Sequence, residues 1–215
     1  MSLLQLQFRD VSRAKVGILF AFLLTYALAP ALHAQQPGTA VIFYAQLPLN
    51  DELWPDLLQS LHADLAAGMG EGPNGFALQQ NPAFYRGNDL ALGVVFSSVI
   101  VVKLLGRCDL LPQSDRSSLD RPLGWVLQAS GKIQPFIFVD CERITQALRG
   151  RSAGLDKYER RHAMAQAIAH VVLHEWIHIA TQCPAHGKRG ITKQFLTAAE
   201  LTGEPRNNTM AIASH

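Results

Sequence analysis

The stretch that most restricts how this chain can fold lies between Asp156 and Pro184. Tyr158 to Gln182 contains neither Gly nor Pro. Ahead of it, Asp156-Lys157-Tyr158-Glu159 has the form of a helix start, in which an N-cap side chain and a carboxylate three residues on satisfy each other's backbone amides. Met164, Ile168, Val171, Val172, Leu173, Ile177 and Ile179 wrap more than one face of this helix, which predicts a place in the core. Inside it stands His174-Glu175-Trp176-Ile177-His178. Helical spacing puts the two imidazoles on one face, within reach of one metal ion, and turns Glu175 about 100° away. Zinc takes three protein ligands and leaves a position for water, whose proton the Glu accepts as general base. Chance is a poor rival, because His and Glu frequencies predict about 0.01 such matches in 215 residues.

At the other end of the chain, Arg9, Arg13 and Lys15 precede an uncharged apolar run from Val16 to Ala31 and then Leu32-His33-Ala34-Gln35-Gln36-Pro37. A basic region, an apolar region and small residues form a secretory signal, expected to be cut after Ala34. Ala29-Pro30-Ala31 offers a poorer cut. The rival reading is an uncleaved anchor, since Val16 to Ala34 is just long enough to span a bilayer. Residues 1–34 are therefore set aside, and 35–215 are read as one exported domain, secreted or periplasmic, with enough chain for a substantial core. No other stretch is apolar enough to cross a membrane. A net charge of +2 without a basic run excludes nucleic acid as the expected partner. Nothing fixes the oligomeric state.

Export favours disulfides among the three cysteines. Cys108 and Cys141 each end a strand-like run and form the preferred bridge. Cys183, just past the metal helix, is left as a free or intermolecular thiol, with a thiolate ligand or thiol switch as the alternative.

Ala40 to Ala45 has the composition of a buried strand, and Asn50-Asp51 with Pro55 starts a helix whose Trp54, Leu57, Leu58, Leu61 and Leu65 keep helical spacing up to Gly68. Gly70 to Asp89 reads as a long loop rimming a cleft. Leu90 to Leu105, rich in β-branched residues, predicts one long strand or two joined near Ser97-Ser98. After a polar loop from Asp109 to Pro122, Leu123–Gln128 and Ile133–Val139 flank Ser130-Gly131 as a hairpin. The fold class read from this pattern is α+β.

The motif helix resembles that of the zincin metallopeptidases, H-E-x-x-H. From Ala167 to Leu201 the chain is similar to small secreted bacterial H-E-x-x-H proteins with a further His (here His186), a Gly-hydrophobic pair (Gly190-Ile191) and a T-x-x-[DE]-L segment (Thr197 to Leu201). Thr181 and Pro184 stand where metzincins have Gly and a third His, and Thr192 stands where a Met-turn is expected, so the resemblance points to the zincin class rather than to a subfamily. It implies a zincin-like catalytic domain with a small mixed or antiparallel sheet packed on the H-E-x-x-H helix. The activity implied is zinc-dependent hydrolysis of protein or peptide substrates, with Glu175 as base and zinc-bound water as nucleophile. A competing class is a catalytically inactive, zinc-stabilised binding or inhibitor module on the same fold. No tyrosine follows the motif to stabilise an oxyanion.

His174 and His178 are the expected zinc ligands, and two residues compete to be the third. His186 follows Pro184, with Gly187 and Gly190 leaving the chain free to fold back toward the metal, and imidazole is a preferred donor. Glu200 stands close to the spacing at which thermolysin-like enzymes supply a Glu, but the T-x-x-E form of Thr197–Glu200 gives it a capping task. His186 is favoured and Glu200 stays as the alternative. His170, one turn before His174, is read as capping the core edge rather than orienting a ligand, and His62 and His162 as solvated. Asn207-Asn208-Thr209 matches a glycosylation sequon in a polar tail and is given no role.

Overall fold

A computed structural model describes residues 38–68, 78, 82–90, 95–110, 121–187 and 190–203, which belong to a compact unit, Pro37–His215. The signal segment and the sequon lie outside the described residues. The order is β1 (Thr39–Ala45), α1 (Leu53–Ala66), β2 (Ala83–Arg86), β3 (Ser98–Leu105), β4 (Gly124–Ala129), β5 (Lys132–Asp140), α2 (Cys141–Ser152), α3 (Lys157–Thr181) and the short α4 (Ala198–Leu201), with single 3₁₀ turns at Gly87–Asp89 and Gly190–Thr192. The α+β expectation holds, with a mixed sheet of five strands in the order β2-β1-β3-β5-β4. β2, β1, β3 and β5 run parallel, and β4 pairs antiparallel with β5 at the edge.

Alternation in β3 and β5 decides which face is covered. Ile100, Val102 and Leu104 of β3 and Ile137 and Val139 of β5 are buried with Leu53, Leu57 and Leu61 of α1 and Met164, Ile168 and Leu173 of α3 in one core. The β4–β5 hairpin turns at Ser130-Gly131, both with positive φ (51° and 73°), as a two-residue turn matched to strand twist requires.

α3 runs as its sequence predicts. Asp156 accepts from the Glu159 amide while Glu159 reaches back to the Asp156 amide, and Gln182 ends the helix in a left-handed conformation. From Met164 to His178 all but one residue is buried, so the H-E-x-x-H stretch sits on a shaft fixed by packing. Arg161 ties this shaft to α1 through Asp56 at 2.6 Å. His170 is buried as well, its Nε2 3.2 Å from Asp64 of α1, so it serves the α1–α3 contact.

Three expectations need correction. Part of the predicted cleft-rimming loop is β2 and its 3₁₀ turn, paired to β1 at the edge opposite β4. Four residues between polar flanks are too few to show a period. α2 is a helix that the sequence pattern left unassigned: Asp140 caps it by accepting from the Arg143 amide, and Ile144 and Leu148 bury its inner face. His162 is half-buried with its ring stacked on Tyr158, not solvated, while His62 is exposed. The bridge between Cys108 and Cys141 forms as expected, joining the chain just past β3 to the first turn of α2, and Cys183 is free.

Candidate metal centre

The site is built on the last turns of α3 and the loop that follows. His174, Glu175 and His178 are buried, and His186 stands exposed on the loop beyond Pro184. The ligating atoms of His174, His178 and His186 all lie within 4.8 Å of one another. Glu200 is placed elsewhere: its carboxylate receives Lys193 Nζ at 2.8 and 2.9 Å and the Thr197 amide at 2.9 Å, completing the capping box that its sequence announces. Of the two candidates for a third ligand, the fold brings His186 to the pair and gives Glu200 a structural partner.

Backbone carbonyls settle which nitrogen each buried imidazole offers. His174 Nδ1 lies 2.5 Å from Ile191 O, and His178 Nδ1 lies 2.6 Å from Cys183 O. A carbonyl only accepts, so both Nδ1 atoms carry the hydrogen and both Nε2 atoms present lone pairs when the rings are neutral. Those two Nε2 atoms are 3.1 Å apart. Facing lone pairs at that distance repel unless a cation lies between them, and burial lowers the His174 pKa to about 4. Two nitrogens of a tetrahedral zinc site, each about 2.0–2.1 Å from the ion, are about 3.3 Å apart. The donor set therefore fits a divalent ion with a taste for imidazole, and a carbonyl behind each ring is the usual way such ligands are oriented.

The loop after α3 supplies those carbonyls through close backbone contact. Gly187 donates its amide to Thr192 O at 2.8 Å, and a Cβ on Gly187 would stand 2.1 Å from Thr192 Oγ1. A side chain at Gly187 would force the Thr192 side chain to move, and this contact holds the 3₁₀ turn with Ile191 against His174 and His186 beside both rings. Ile191, Cys183 and Gly187 take roles here that differ from those their sequence suggested, which were a Gly-hydrophobic pair, a thiol and freedom of the chain to fold back. The first two act through main-chain atoms, which leave no signature in residue type.

Glu175 projects beside the donor set, Oε1 4.0 Å from His174 Nε2. Burial pushes its carboxyl up from 4.5 to about 8. Over it passes the start of β4, where a Cβ on Gly124 would meet Val171 Cγ1 at 2.4 Å and Glu175 Cγ at 3.3 Å. Gly124 was likewise not singled out, though a Gly between Leu123 and Trp125 at the head of a strand is the kind of signal that marks close approach.

A cleft of about 780 Å³ opens on this centre, lined by Gly124 to Val126 of β4, by the three imidazoles and Glu175, and by Lys193–Leu196. Its volume is within the range of small-ligand and peptide sites. No protein-family model, no curated protein and no solved structure matches this chain. Among the described residues no helix is long and apolar enough to cross a membrane.

Proposed function

We propose that this chain is a zinc-dependent peptidase of zincin type, with His174, His178 and His186 as metal ligands and Glu175 as general base. The observation that carries the reading is the pair of Nε2 lone pairs converging at 3.1 Å, beside a buried carboxylate, at the floor of an open cleft. Bound there, zinc supplies Lewis acidity, polarising a carbonyl and bringing a water toward ionisation near pH ~7.

The remaining work falls to the chain's own groups. Glu175 is placed to take a proton from the attacking water and pass it to the departing amine nitrogen, leaving one new carboxylic acid and one new amine. Burial raises its pKa in the metal-free chain, and a cation beside it draws that value back toward the charged form a base requires. β4 is an edge strand whose Gly124 stands over Glu175. Its outer backbone groups can pair with an extended peptide, presenting peptide bonds to the metal centre in register. The disulfide Cys108–Cys141 supports an oxidising location, secreted or periplasmic.

Glu175→Gln tests the reading. Zinc stays at one per chain by metal analysis, while hydrolysis of an unfolded generic protein falls by orders of magnitude. Equal turnover by the two proteins rules out this mechanism, and zinc without hydrolysis of any peptide favours the binding-module class instead.

A further inference from the structure

The charged groups that line the cleft differ in whether they are neutralised. At the head of β4, the Arg121 carbonyl accepts Arg143 Nε at 3.1 Å and the Leu123 carbonyl accepts the Asp140 amide at 2.9 Å. Between these anchors stands Pro122, which fixes its own φ. This lip is therefore tied to the start of α2, and from it the exposed Arg121 lines the cleft. Arg143 lines the same end. Lys193 also lines the cleft, but both oxygens of Glu200 neutralise it. Among the described residues lining the cleft, Glu175 is the only carboxylate.

A metal ion carried by neutral imidazoles keeps its +2 charge, so cation and guanidinium together give a cleft that attracts anions and repels cations. Strand direction says where on a substrate the anion belongs. β4 runs from Gly124, over Glu175, toward Gln128, which pairs with Ile133 near the end of α3. A peptide pairing antiparallel with it, the more stable arrangement, runs the other way and carries its C-terminal half toward Arg121. Arg121 precedes Gly124 by three residues, at most roughly 10 Å of chain, which places it within roughly three residues of the bond opposite Gly124.

We infer that this cleft selects peptide segments bearing a carboxylate shortly to the C-terminal side of the scissile bond, and that Arg121 is the specificity-determining residue. The inference rests on the peptidase reading. The carboxylate comes either from an acidic side chain or from the peptide's own C terminus, and both offer the planar oxygen pair that a guanidinium grips with two parallel hydrogen bonds.

The test uses zinc-loaded protein and quenched fluorogenic peptide pools with Glu, Gln or Lys fixed at one position at a time, each made with a free and an amidated C terminus. Pools with Glu on the C-terminal side are expected to be cut about fivefold or more faster than Gln pools and faster still than Lys pools, with the preference shrinking as salt rises. Arg121→Glu should abolish or invert the order without changing zinc content, and Arg121→Lys should keep much of it. A preference seen only with free C termini assigns the carboxylate to the chain end, and one that survives amidation assigns it to the side chain. Equal turnover of Glu, Gln and Lys pools, or a preference unchanged in Arg121→Glu, overturns the inference. If no pool is cut, the peptidase reading fails on its own account. The same pools then report by fluorescence anisotropy on the zinc-loaded protein: tighter binding of Glu than Lys pools, lost in Arg121→Glu, upholds the role of Arg121, and equal binding overturns it.

Discussion

Glu175 makes the metal-free protein less stable as pH rises, and the size of the effect follows from its burial. Glu175 is 6% exposed, and its carboxyl pKa is raised by that burial from 4.5 to about 8. Between those values the folded chain keeps a proton that the unfolded chain has lost, so stability falls with rising pH. His174 opposes it lower down. Its pKa, lowered from 6.5 to about 4, adds stability that is complete above 6.5 and is lost as pH falls toward 4. The two slopes offset each other between 4.5 and 6.5, and above 6.5 Glu175 acts alone. At about 1.4 kcal/mol per pH unit, the loss from pH 6.5 to 8 is about 2 kcal/mol. With a urea m-value of roughly 2 kcal/mol/M, the unfolding midpoint drops by on the order of 1 M. The assay is urea unfolding of chelator-treated wild type and Glu175→Gln at both pH values, followed by circular dichroism. The variant should show little of this drop, and zinc should shrink it in wild type, because a cation beside the carboxylate favours the charged form. An equal fall in wild type and Glu175→Gln would refute the placement of a buried, neutral Glu175.

Three further outcomes are expected. His186→Ala should weaken zinc well over tenfold in a competition titration, whereas Glu200→Ala keeps zinc and costs about 1 kcal/mol of cap stability; a Glu200 variant that loses zinc would restore the thermolysin-like ligand set. Gly124→Ala places a methyl 2.4 Å from Val171 Cγ1, and by overpacking should cost about 1–3 kcal/mol in thermal unfolding while lowering turnover, with zinc content unchanged; wild-type turnover in this variant would separate the head of β4 from the chemistry. Reducing Cys108–Cys141, 33 residues apart in sequence, should remove about 3–4 kcal/mol and lower the melting temperature, and an unchanged melting temperature would show that the bridge does not limit unfolding.

What the sequence disclosed and what it withheld divide along one physical line. α3 was legible from Asp156 to Gln182 because caps, helical period and the absence of breakers are local and agree with one another. The hairpin around Ser130-Gly131 and the capping box at Thr197–Glu200 were legible for the same reason. α2 escaped because Glu142, Arg143, Arg149 and Arg151 dilute a buried face made mainly of Cys141, Ile144 and Leu148. The parallel pairing of β1 with β2 and β3 joins segments far apart in the chain, and alternation within one strand does not name its neighbour.

The candidate site shows the same division at atomic scale. Its three imidazoles and Glu175 are side-chain chemistry, and residue type with spacing reveals them. The groups that aim the buried imidazoles are the carbonyls of Cys183 and Ile191, and any residue could supply a carbonyl. What must be kept is the path of the chain through the bend at Pro184, the contact of Gly187 with Thr192, and the turn at Gly190–Thr192. Such a loop can change most of its side chains while the arrangement of the imidazoles stays put, provided that Gly187 remains small and the two carbonyls keep their places.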